Sequence, residues 1–273
     1  MENIMTLIRS RRSVRTFDGK AIPSETLRQL EAWLSDTENP FGIPMEFRLL
    51  DPKALGLSSP VITGETLWLG GKIARVPNAE EAFGFAMERL LLRAWGLGIG
   101  ATWIGGTMDR PAFERAMGIS AGEMMPCVTP LGVPAEKMSL RESLMRKGVK
   151  ADTRLPFESL FFDGSFDTPL SPAAAGALAE SLEAVRLGPS AVNKQPWRVL
   201  RQGEKYHFYK KQSRGFGAGE AGDMQRIDLG IALSHFALVS EAKGLRLRFT
   251  REDPSLPCPD DMSYIGTYEA EQE

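Results

Sequence analysis

The chain has 273 residues, 42% of them hydrophobic and 25% charged, with 33 Lys plus Arg against 35 Asp plus Glu. That length supports a buried core in one large or two medium units, and a formal net charge of −2 excludes a global attraction to nucleic acid or to an anionic membrane. Two cysteines (Cys127, Cys258) and two histidines (His207, His235), with no HExxH or CxxC spacing, exclude a disulfide framework and leave no metal site to expect.

The N-terminal segment MENIMTLIRSRRSVRTF has no long apolar stretch, so no signal peptide is expected. No apolar run reaches the length of a membrane span; the best, Ile227 to Val239, is interrupted by Asp228 and His235. A soluble, cytoplasmic protein with reduced thiols is the expectation. The first helix runs into Arg11-Arg12-Ser13-Val14-Arg15. Three guanidiniums and a hydroxyl so close together suit a phosphate, although a solvated basic helix end has the same composition.

Next, Ile22-Pro23-Ser24 opens a helix with Leu30 and Leu34 at helical spacing, and Phe47 to Leu50 reads as a strand after Pro44. Met87 to Leu97 is a helix apolar on most faces, followed by Trp103-Ile104-Gly105-Gly106, where paired glycines let a ligand approach backbone N–H groups. Leu131-Gly132-Val133 closes the first half as a strand, and a polar stretch from about Pro134 through Pro172 reads as a linker.

Beyond it the pattern returns. Aligning Gly96 with Gly244 sets an offset of 148 residues and matches Leu90 with Leu238, Ala94 with Ala242 and Leu97 with Leu245. The same offset brings Ile22-Pro23-Ser24 onto Leu170-Ser171-Pro172 as a second helix start; with two extra residues in the second copy Phe47–Leu50 faces Trp197–Leu200, and with a 14-residue shortening Leu131–Val133 faces Ile265–Thr267. The chain therefore reads as two α+β units, 1–150 and 151–273, able to replace the two-fold axis of a homodimer.

The second unit carries Gly188-Pro189-Ser190-Ala191-Val192-Asn193-Lys194-Gln195-Pro196-Trp197, joining a helix to a strand. Its small residues admit a flat ligand while Ser and Asn bond polar edges; an Asx-type turn with a core Trp would read the same way. A strand follows at Lys205 to Lys211. Two glycine patterns, Gly96 to Ala101 and Gly217 to Gly222, do not lie between a strand and a helix of a βαβ unit, so no dinucleotide fold is expected. His235, on an apolar helix, is expected to be a satisfied core residue, and Trp103 could line a pocket.

Together RRSVR, GPSAVNKQPW, GLGIGATWIGG and PLGVP resemble, over nearly the whole chain, the nitroreductase family of FMN-dependent oxidoreductases, most closely its fused, TM-type members. The resemblance implies an α+β nitroreductase-like fold whose tandem halves, products of gene duplication, form an intramolecular pseudo-dimer that works as a monomer. In the family one subunit gives the basic motif and Gly loop, and the other gives the PSxxN turn. Carried over, Arg11, Arg12, Ser13 and Arg15 resemble the group around the flavin phosphate and pyrimidine edge, joined by Arg154, with Lys150 as an alternative. Gly105 and Gly106 resemble the backbone donors near the reactive ring nitrogen, and Pro189, Ser190, Ala191 and Asn193 the strip contributed across the interface.

Departures matter as much. The first-half counterpart of the strip reads NPFGIP, with no Ser or Asn at the matching places; the counterparts of the basic motif are Ser159, Phe161 and Asp163, and those of Gly105-Gly106 are Asp253-Pro254. One FMN per chain is expected. The implied reaction is ping-pong hydride transfer from NAD(P)H through FMN to a small electron-poor acceptor, a nitroaromatic or quinone. The flavin does the chemistry, so no catalytic side chain is assigned. The rival readings are a flavin- or ligand-binding protein without turnover, or a specialised reaction on the same fold.

Overall fold

The computed structural model describes residues 3–271. Its first part contains α1 (Ile4–Ser10), α2 (Ser24–Trp33), β1 (Met45–Leu50), α3 (Pro52–Leu55), β2 (Leu67–Ala74), α4 (Ala79–Gly96), α5 (Arg110–Met117), β3 (Glu123–Met124) and β4 (Val128–Leu131). There follow α6 (Leu140–Gly148), β5 (Phe161–Asp163), β6 (Ser165–Pro169), α7 (Ala179–Leu187), β7 (Trp197–Gln202), β8 (Lys205–Lys211), α8 (Met224–Ala242), β9 (Leu247–Thr250) and β10 (Met262–Ala270). The α+β content matches the expectation. Local chemistry sets the ends: the Asn3 side chain accepts from Met5 N–H at 2.9 Å to start α1, and Asp223 does the same for Gln225 at 2.9 Å to start α8.

Two sheets form, one from each side of the chain. In the first, β1 and β4 pair with β2; the second runs β6-β5-β7-β8-β10-β9. All pairings are antiparallel except β5 with β7. The shared kernel is a hairpin of two strands with a later third strand: β1-β2-β4 in one sheet, β7-β8-β10 in the other.

Between the sheets α4 and α8 pack closely, and one hydrophobic core runs through both parts. Their crossing depends on two glycines. A Cβ on Gly84 would lie 2.2 Å from the Ile227 carbonyl oxygen, and one on Gly230 would lie 2.1 Å from that of Glu81. No side chain fits there.

The repeat needs two corrections. The two long helices end alike, but at Gly98 and Gly244, with φ of 78° and 77°, so the offset at these helices is 146, not 148. Ile99 N–H reaches Ala94 O and Leu245 N–H reaches Ser240 O in the same capping pattern. Gly96 is still helical. In GLG either glycine satisfies a C-cap pattern; only the backbone shows which one turns left-handed. The second helix start is also late. Residues after Pro172 form turns and a 3₁₀ segment at Gly176–Leu178, and α7 begins only at Ala179, because Gly176 takes φ of 58°.

The stretch read as a polar linker is built structure. It holds α6, a 3₁₀ turn at Phe157–Ser159, β5 and β6, and β5 joins β7 in parallel. Its apolar residues run against the usual pattern: Leu140 and Leu144 are 86% and 69% exposed, whereas Glu142 is 1% exposed.

Candidate functional site

The site starts where α1 stops. Arg11 leaves the helix in an extended conformation, φ −60° and ψ 137°, and the chain runs beside residues 100–102 through a parallel bridge of Ser13 with Ala101. Val14 N–H donates to Ala101 O at 2.9 Å. Extended backbone alternates its side chains, so Val14 is buried in the core while Arg11, Ser13 and Arg15 line a cavity of about 570 Å³. That volume lies within the range of small-ligand sites.

Every residue singled out as a flavin contact lines this one cavity: Arg11, Arg12, Ser13 and Arg15, then Gly105 and Gly106, Arg154, and Pro189, Ser190, Ala191 and Asn193. Trp103 lines it as well. Lys150 is not among the lining residues; its carbonyl instead accepts from Asn193 Nδ2 at 2.7 Å.

The basic wall is partly paired, Arg146 with Asp152 among others. Arg12 pairs with Glu142 at 3.3 Å, and the other oxygen of Glu142 accepts from Arg15 N–H at 3.2 Å. The Nε atoms of Arg11, Arg15 and Arg154 are buried without a hydrogen-bond partner. Burial lowers the pKa of Arg11, Glu88 opposes that shift, and neighbouring Arg146 adds to it. Arg15 is lowered by burial and Arg146 against the pull of Glu142, and Arg154 by burial, then by Arg11 and Arg186. Guanidiniums withdrawn from water and set near one another favour an anion beside them.

Arg154 is fixed by carbonyl oxygens. Its Nη1 donates to Ala151 O and Thr153 O, both at 2.8 Å, and Nη2 to Leu187 O at 3.2 Å.

The opposite wall is the strip after α7, and it is strained. Val192, Asn193 and Gln195 have φ of 50°, 56° and 50°, a region that non-glycine residues seldom occupy. Side chains hold it there. Ser190 Oγ accepts from Gln195 N–H at 2.9 Å, Gln195 Oε1 accepts from Leu155 N–H at 2.9 Å, and Asn193 Nδ2 also donates to Thr153 O at 3.1 Å. Asn193 thus ties the strip to residues 150–155 while lining the cavity. The Asp228 carboxyl, from α8, receives the Ala191 N–H at 3.0 and 3.1 Å.

The glycine loop is held from behind. Arg110 donates to Gly105 O at 2.7 Å and to Met125 O at 2.6 Å. A Cβ on Gly105 would come 2.5 Å from the Met224 sulfur, whereas one on Gly106 would meet nothing within 4 Å.

Sequence reasoning missed several lining residues. Met145 and Arg146 of α6 and Val149 just after it lie within the supposed linker; Cys127 comes from just before β4, and Phe216, Met224 and Asp228 from later segments. Asp228 left a signal, as a carboxylate interrupting an apolar run. Cys127 is a buried thiol that burial pushes up in pKa, so it is not a ready nucleophile. His235 is satisfied in the core: Nδ1 meets Ala184 O at 2.8 Å and Nε2 meets Glu88 Oε1 at 2.9 Å. The other Glu88 oxygen accepts from Trp103 Nε1 at 3.1 Å.

Among the described residues, no helix is long and apolar enough to cross a membrane.

A family model described as "Putative TM nitroreductase" matches residues 3–240. No curated protein matches the chain. Among solved structures, a nitroreductase from Thermotoga maritima shares 18% identity at a TM-score of 0.63, the match covering 98% of this chain and 93% of that one. A nitroreductase from Bacteroides fragilis, crystallised with bound FMN, matches at 20% identity and a TM-score of 0.41, over 51% of this chain and 92% of its own. A protein from Clostridium acetobutylicum described as "Putative NADH Oxidase" matches at 21% identity and a TM-score of 0.40, over 48% of this chain and 89% of its own. With residues 3–240 matched and the fold shared along nearly its full length, the chain belongs to the TM nitroreductase family.

Proposed function

We propose that the protein is an FMN-dependent NAD(P)H oxidoreductase of nitroreductase type that holds one flavin per chain between two tandem halves, residues 1–150 and 151–273. The observation that carries this reading is the cavity itself. It joins a cation cluster and glycine loop from the first half to a strip from the second, and the Nε atoms of Arg11, Arg15 and Arg154 are buried there without a hydrogen-bond partner.

The residues fit the group. Arg11, Ser13, Arg15 and Arg154 would hold the phosphate and the polar edge of the ring, with Arg12 already engaged by Glu142. Pro189 to Asn193 would flank the ring, and the Gly105-Gly106 backbone would donate to it. When bound, FMN supplies hydride transfer in two half-reactions, from NAD(P)H and then to an electron-poor acceptor such as a nitroaromatic or quinone. What the chain adds is grip, orientation and exclusion of water. His235 and Glu88 are committed to each other, and no acid–base pair is required of them.

The single site is supported by what occupies its counterpart. In NPFGIP, Phe41 is buried and packs edge-on against Phe249, ring centres 5.1 Å apart, where the intact strip has small residues and open space. The matching kernels of the two sheets and the α4–α8 crossing support descent from a duplication, and a monomer that needs no partner chain.

The test is NAD(P)H oxidation by FMN-loaded protein, with a quinone and a nitroaromatic as acceptors. Acceptor-dependent oxidation is expected. Tight FMN binding with no oxidation would replace the enzyme by a flavin-binding protein.

A further inference from the structure

Asp228 is the one carboxyl among the cavity-lining residues that is both deeply buried and without a cationic partner. It lies on α8 with 3% exposure, and both of its oxygens share a single donor, Ala191 N–H, at 3.0 and 3.1 Å. A carboxylate accepts several hydrogen bonds, and one buried with a single N–H is poorly compensated. The charged groups around it offer nothing more. Asp223, on the same helix, carries the same charge and is itself paired with Lys210 at 2.6 Å. Cys127, whose pKa is raised by burial and by Asp228, offers no charge, and Arg110 near it is spent on the carbonyls of Gly105, Met125 and Pro126.

These contacts make the neutral acid the stable form, and burial indeed raises its pKa well above the ordinary aspartate value. A neutral acid has an O–H to donate. Asp228 lines the cavity, where a bound ring can accept it. We propose that Asp228 is a ligand-binding residue of this site, donating a hydrogen bond from its carboxyl O–H to a carbonyl oxygen or ring nitrogen of the bound heteroaromatic ring while accepting from Ala191. This rests on the flavin reading of the cavity. It gives one residue two tasks, since the same group sets the strained strip and meets the ring beside it.

The experiment combines infrared spectra of the full chain, labelled with 13C-aspartate, and FMN titrations of the flavin-free protein. A protonated-carboxyl band is expected in the wild type, absent from Asp228→Asn, and shifted to lower frequency when FMN is added. Asparagine can accept from Ala191 and donate to the ring, so Asp228→Asn is expected to bind FMN within about threefold of wild type. Asp228→Leu, which does neither, should bind about five- to tenfold more weakly, the worth of one neutral hydrogen bond.

Absence of the band in a chain that binds FMN would overturn the proposal alone, as would a band that FMN leaves unmoved. Asp228→Asn binding FMN tenfold more tightly than wild type would also overturn it, because removal of a buried negative charge would then be the effect. A band present in a chain that binds no FMN would instead overturn the flavin reading, and this bond with it.

Discussion

The α4–α8 crossing contains an acid whose cost is readable as a pH dependence. Glu81 is fully buried; among the described residues its ion-pair partner is Arg226 at 3.1 Å, and neither carboxyl oxygen accepts a hydrogen bond. Burial pushes its pKa from 4.5 up to about 7, with Arg226 opposing the shift and Glu80 and Asp223 adding to it. A raised carboxyl pKa favours the folded state while the group is protonated. That stabilisation is complete below the unfolded value and is lost as pH rises through the folded one. From 4.5 to about 7, at about 1.4 kcal/mol per pH unit, the loss is about 3 kcal/mol. Glu81→Gln removes the titration and keeps the shape. Urea unfolding from about pH 5 to about pH 8.5 should show the variant gaining on wild type by about 3 kcal/mol, most of it across this window. Other groups titrate in both proteins and cancel in the difference. Parallel stability curves would refute the reasoning, because Glu81 would then be ionised without cost.

Other consequences can be measured as directly. Arg11→Met deletes a half-buried guanidinium whose Nε has no hydrogen-bond partner, so it should weaken FMN binding by about ten- to a hundredfold, as expected for a charge-assisted bond, while leaving the thermal midpoint of the flavin-free chain unchanged or higher. An equal loss of midpoint and affinity would mean that Arg11 serves the fold. Gly84→Ala drives a Cβ into the Ile227 carbonyl and should cost at least 1–3 kcal/mol, roughly, in urea unfolding; a neutral result would show that the helices can part there. Val192→Gly relieves a β-branched residue at φ 50° whose side chain is 58% exposed, and should raise stability by about 1 kcal/mol in the same assay. A loss there would mean that Val192 packing outweighs the strain.

Much of this could be read from residue types, because the chemistry needs them in short runs. RRSVR carries its donors within one extended stretch of five residues, and the strip between Gly188 and Trp197 carries its small and hydrogen-bonding residues together. Both line the cavity. What stayed hidden depends on contacts distant in sequence or on inverted patterns. α6 passed as linker because it buries Glu142 and exposes Leu140 and Leu144, the reverse of an ordinary amphipathic helix; the buried acid is there to meet Arg12. Asp228 was visible as a break in an apolar run, but its partner Ala191 belongs to another segment, so nothing local gave it a role. The register set for the two long helices slipped because Gly96 and Gly98 are equally plausible caps on paper.

The central claim is one composite flavin site within one chain, and native mass spectrometry of the protein after loading with excess FMN and desalting tests it most directly. The account predicts a species of one chain carrying one FMN. A species with two FMN per chain, or flavin found only on a dimer, would contradict it.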